Sequence, residues 1–139
     1  MATEQADIRA AVKTRLAANF TAIPVIEPGL DVKVDGQSYF MQWDVDFLPS
    51  QRAALGATAG DRINGALKLM VAARKDATAQ PGTATLEGYL DTLRGIFPAG
   101  LSVAAGALTL RFRVPSSGPM LDLDGWVGRE LSCPFYLFT

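Results

Sequence analysis

The stretch Ser38-Tyr39-Phe40-Met41-Gln42-Trp43-Asp44-Val45-Asp46-Phe47-Leu48 sorts into two faces at a period of two. Tyr39, Met41, Trp43, Val45 and Phe47 fall on one side, and Gln42, Asp44 and Asp46 on the other. Successive side chains of a strand point to opposite faces, so the pattern predicts a strand of the main sheet with one face packed and one face polar. The rest of the chain then divides into what covers the apolar face and what meets the carboxylates.

Upstream, residues 3–19 place Ile8, Val12, Leu16 and then Phe20 at steps of four, the spacing of an amphipathic helix. Thr3 is placed to cap it, Glu4 and Asp7 sit where the N-terminal dipole favours anions, and Asn19 ends it. Residues 21–37 hold Pro24, Pro28, Gly29 and Gly36, which leaves room only for short extended pieces at Val25–Ile26 and over 32–34. Downstream, residues 48–61 carry Pro49, Gly56 and Gly60 without a period and read as a contact loop. The strand over 62–71 alternates Ile63, Gly65, Leu67, Leu69 and Val71 with Arg62, Asn64, Ala66, Lys68 and Met70, and is expected to pair antiparallel with the first.

After a loop over 72–82, a second helix over 83–97 carries Leu86, Leu90, Leu93 and Phe97 on one stripe and stops at Pro98. Residues 101–103 suggest a short strand, and Leu108, Leu110, Phe112 and Val114 alternate with Thr109, Arg111 and Arg113 in a longer one that Pro115 ends. Residues 116–124 read as irregular and lead through the hairpin dipeptide Asp124-Gly125 into the last strand, over 126–138. There Val127, Leu131, Cys133, Phe135 and Leu137 share one face, while Trp126, Tyr136 and Phe138 take the other; Pro134 points to an edge or a bulge. The expected fold is α+β, a four-stranded antiparallel or mixed sheet with two helices on one face in the order α-β-β-α-β-β.

Composition bounds the function. A chain of 139 residues, 49% hydrophobic and 19% charged, suits a single domain over 1–139. Thirteen basic against fourteen acidic residues leave a net charge of -1, so there is no basic field to hold a nucleic-acid backbone. A lone cysteine excludes an internal disulfide, and the absence of histidine removes the usual general base and the commonest zinc ligand. No basic-then-apolar leader is visible at the N-terminus, and the apolar run over 96–110 is broken by Pro98, Gly100 and Gly106, short of the roughly 20 residues a membrane helix needs. These features predict a soluble protein made in a reducing cytoplasm, with no membrane partner.

Few residues invite chemistry. Asp44 and Asp46 are neighbours on one strand face, a spacing open to acid/base work or to cation binding. Arg111 and Arg113 repeat that spacing, and cross-strand charge pairing accounts for all four, within one chain or between subunits. Asp122-Leu123-Asp124-Gly125 lacks the third ligand and closing Glu of a calcium loop, and reads as a solvated turn. Cys133 has no basic flank or histidine to activate it and reads as a small core residue; Gly56 and Gly60 form no phosphate loop. Trp126, Tyr136 and Phe138 are more apolar than a solvated strand face should be, which marks either a contact surface or a core wrapped around that end.

As a whole, the chain resembles the small tail terminator family of long-tailed phages. The resemblance is carried by the opening helix with Ile8-Arg9-Ala10-Ala11-Val12 and Arg15-Leu16, the proline-rich connector, the strand from Tyr39 to Phe47 with its loop, the strand over 62–71, the second helix, and the closing Gly125-Trp126 to Pro134-Phe135 strand. It implies a structural virion protein rather than an enzyme, with no catalytic residue, metal or cofactor. Its subunits would form a ring, six in number, that ends tail-tube polymerisation at the head-proximal end of the tail and offers a face to neck or head completion proteins. Six copies at -1 each carry -6, suited to a lumen that DNA crosses without sticking. Asp44, Asp46 and Asp122 would then face the channel or an arginine of the next subunit, with Arg111, Arg113, Trp126, Tyr136 and Phe138 as further interface residues. The alternatives are another neck or tail-tube component, or a small cytoplasmic enzyme or ligand-binding domain whose pocket is lined by the Trp43 and Trp126 regions.

Overall fold

The computed structural model describes residues 2–26, 39–47, 51–52, 61–74, 83–106, 108–123 and 125–138. Its elements follow as α1 (Ala2–Asn19), β1 (Val25–Ile26), β2 (Tyr39–Phe47), β3 (Gln51–Arg52), β4 (Asp61–Arg74), α2 (Thr83–Ile96), β5 (Ser102–Ala105), β6 (Leu108–Phe112), β7 (Ser116–Leu123) and β8 (Trp126–Phe138). The possible strand over 32–34 and most of the contact loop over 48–61 lie outside the described residues.

The two helices form for the reason their spacing gives. Ile8, Val12, Leu16 and Phe20 are all buried, as are Leu86, Leu90, Leu93, Ile96 and Phe97, so each helix buries one stripe and solvates the rest. Asn19 closes α1 through an Nδ2 bond of 2.9 Å to the carbonyl of Arg15, and α2 stops where Pro98 cannot continue it. Arg15 ties the helices together: its Nε donates 2.7 Å to the carbonyl of Ile96 at the open end of α2, and its guanidinium lies 5.9 Å from the Phe97 ring centre.

The sheet is larger than expected. Among the described residues eight strands join one curled, half-barrel sheet whose main path is β1-β2-β4-β8-β6-β5, with β3 added to β4 and β7 to β8. Among the described strands only the β1–β2 pair is parallel. This corrects the four-stranded α-β-β-α-β-β expectation. The added strands are those whose sequences carry little alternation. β1 and β3 are two residues each, and β7, Ser-Ser-Gly-Pro-Met-Leu-Asp-Leu, looks like a loop because it packs little apolar surface of its own. β8 supplies its pairing instead, from Ser116↔Ser132 to Leu123↔Trp126 across a bulge between Ser117 and Met120.

β2 and β4 pair antiparallel in the expected sense, with Trp43 opposite Leu69 and Val45 opposite Leu67. Pro134 requires a second correction, because β8 is interior. It pairs with β4 along its full length and shares its other side between β7 and β6. The Arg113 amide donates 2.8 Å to the carbonyl of Pro134, so the side of β8 on which Pro134 lacks a donor faces the break at residues 113–115, where no ladder bond is lost.

The core lies between the helices and one face of the sheet. Met41, Trp43, Val45, Leu67, Leu69, Val71, Leu110, Phe112, Leu131, Cys133, Phe135 and Leu137 join the helix stripes in one buried cluster. A smaller cluster of Ile26, Phe40 and Ala72, with Met70 and Trp126 against it, sits apart from the first. Since Phe40 and Trp126 have the opposite parity to the main core residues of β2 and β8, this second cluster belongs to the outer face.

Candidate subunit interface

The outer face of the sheet carries most of the residues singled out from the sequence. On β2, Asp44 and Asp46 are exposed. Their partners on β4 are Lys68 and Ala66, not arginines. Lys68 is drawn toward β8, with its Nζ 3.2 Å from Ser132 Oγ and 3.7 Å from Glu130 Oε1. Asp44 has a local role as well: its Oδ1 accepts the Val45 amide at 2.7 Å. The Met41 amide donates to the Pro24 carbonyl on the β1 side, so the odd-numbered amides of β2 point to its outer edge, and Asp44 satisfies one that no described strand reaches.

Arg111 and Arg113 lie at the far side of the sheet, with β4 and β8 between β6 and β2. Pairing of the four charges within one chain is therefore ruled out by strand order. Arg111 is exposed and stands opposite Ser102 and Tyr136. The Arg113 guanidinium rests 4.9 Å from the centre of the Tyr136 ring. Among the described residues, neither Asp46 nor Arg111 has an ion-pair partner.

Trp126 is half-buried in the second cluster, where its ring meets Phe40 edge-on at 4.7 Å and Arg74 covers it at 4.6 Å. Asp122 is exposed on β7 opposite Val127, while Asp124 and the side chain of Phe138 lie outside the described residues. Among the described residues, no three His, Cys, Asp or Glu side chains converge on a possible metal position. Trp43 is buried on the helix-covered face and Trp126 lies on the other, so they do not line a common pocket.

Cys133 is fully buried, and burial pushes its thiol from the ordinary 9.0 up to about 12, with the Arg94 charge acting in the other direction. A thiol held neutral in this way is a core side chain rather than a nucleophile.

Two features were not legible in the sequence. The first is a groove of about 470 Å³ between α1 and β5, walled by Ala10, Ala11, Ala18 and Ala104, with Asp7 and Arg15 among its polar residues. Its floor is set by the turn between β5 and β6, where Gly106 has φ +63° and a Cβ would lie 2.6 Å from Asp7 Oδ2. The second is a depression of about 180 Å³ on the outer face, rimmed by Gln42, Asp44, Lys68, Met70 and Glu130. Each joins elements far apart in sequence, and no local pattern announces them.

No family model matches the chain, and no curated protein does. A solved structure whose name states no function superposes with a TM-score of 0.72 over 97% of this chain and 95% of its own, at 23% identity. That likeness is one of fold. No described helix is long and apolar enough to cross a membrane.

Proposed function

We propose that the chain is a structural subunit of a phage tail, assembling into a ring of six that ends tail-tube polymerisation and joins the tail to neck or head completion proteins. The observation that carries this reading is the chain-long resemblance to small tail terminators, from the Ile8-to-Leu16 helix to the Trp126-to-Phe135 strand. The sheet lends it physical support. A ring needs a heterologous contact in which two different patches of each subunit meet. Among the described residues this sheet ends in two unlike edges: the side of β2 away from β4 pairs with no strand past Gln42, and β5 is the last strand at the other end. The ring would be made in the host cytoplasm and reside at the head-proximal end of the tail, with DNA crossing its lumen without specific binding.

The test is tube growth. Added to polymerising tail-tube protein from the same genome, the protein is expected to stop elongation at substoichiometric amounts and to be found at one end of each tube. Tubes of unchanged length, with no protein at their ends, refute the reading. The rival is a small-molecule-binding domain, favoured by the α1–β5 groove. It predicts a monomer that leaves tube growth untouched and is stabilised by a bound metabolite.

A further inference from the structure

We propose that Asp44 and Asp46 on β2, and Arg111 on β6 with Arg113 just past its end, are the two halves of one seam between neighbouring copies of this chain. The proposal rests on the ring reading and names the contact that closes the ring. All four side chains are exposed; Asp44 and Asp46 are spaced i, i+2 along β2, about 6.7 Å apart, and Arg111 and Arg113 repeat the i, i+2 spacing, with Arg113 just past the end of β6. Two ion pairs therefore form together when the strands of adjacent copies align.

Within one chain the pairs cannot meet, because β4 and β8 separate their strands and the sheet curls. That curl turns the outer surface of β2 and the outer surface of β6 in different directions. One face thereby becomes two divergent patches of opposite charge, as a head-to-tail contact requires. The acidic side is also shaped for a visitor. The 180 Å³ depression beside Asp44 has Glu130 on its rim, and Lys68 is held toward Ser132 and Glu130 rather than across the mouth. On the basic side, Tyr136 fixes the Arg113 guanidinium against the sheet, lowering the ordering cost of its next contact.

A charge-reversal exchange tests the seam. One variant carries Asp44→Lys and Asp46→Lys, the other Arg111→Glu and Arg113→Glu, each followed by native mass spectrometry with a thermal melt to verify folding. Each variant alone juxtaposes like charges at every contact and is expected to weaken ring assembly at least about tenfold. An equimolar mixture restores opposite charges at every contact of an alternating ring, so six-membered rings return with the two variants in equal number. Variants that still form rings alone, or a mixture of folded variants that does not recover them, overturn the seam and leave the ring reading standing. Wild-type protein that never forms a ring overturns both. If either variant fails to fold, the wild-type ring decides. Its assembly is expected to weaken between about 0.05 M and about 1 M salt, where the screening length falls to about 3 Å. An unchanged ring refutes the seam.

Discussion

Gly65 shows how tightly single positions are set in this sheet. An added Cβ would lie 2.5 Å from the Phe135 ring and 2.8 Å from the carbonyl oxygen of Asp46, so β4 approaches its neighbours too closely there for any side chain. Gly65→Ala is expected to lower the urea-unfolding free energy by about 2 kcal/mol, whereas Gly88→Ala on the open face of α2, where nothing lies within 4 Å, raises it by about 0.5–1 kcal/mol. Cys133 makes a prediction in pH. Between pH 9.0 and about 12 the unfolded thiol ionises while the buried one stays neutral, so the unfolded state binds fewer protons and stability falls as pH rises. The thiol contributes a slope approaching about 1.4 kcal/mol per pH unit in that window. Cys133→Ala should remove that part of the slope, measured by denaturant titration across the window. The alternation of residues 39–47 made Met41, Trp43 and Val45 readable as core from the sequence. The need for glycine at residue 65 was not readable, because it is imposed by a ring seventy positions away.

At the scale of elements, β7 depends most on contacts outside its own sequence. It is held to β8 by its ladder and to α2 by two arginines: Arg94 bonds Asp91 and Ser117, while Arg129 bonds Glu87 and donates 3.1 Å to the carbonyl of Gly118. Removing Arg129 by substitution to Ala should cost about 1.5 kcal/mol. The loss should appear in hydrogen exchange as roughly tenfold faster amides over Ser116–Leu123, with β4 unchanged. Equal acceleration in β4 would mean that Arg129 supports the whole sheet rather than this strand. The same dependence explains why β7 was missed. The helices were legible because burial repeats at their own period, and β2, β4, β6 and β8 because theirs alternates. A strand of serine, glycine and proline whose pairing comes from its neighbour leaves no such trace.

For the whole molecule, strand order decides the meaning of the charges. Local pattern identifies Asp44, Asp46, Arg111 and Arg113 as matched pairs, yet it cannot say that two strands stand between them. That arrangement turns pairing within the chain into a contact available only to another copy. The central claim is that a curled sheet with unlike edges and opposite charges closes head-to-tail into a ring. Native mass spectrometry of the purified wild-type chain at low salt, paired with negative-stain imaging, tests it most directly. The account predicts a single closed species of six subunits with a central hole; a monomer at every concentration, or a two-fold dimer burying the same patch on both partners, would contradict it.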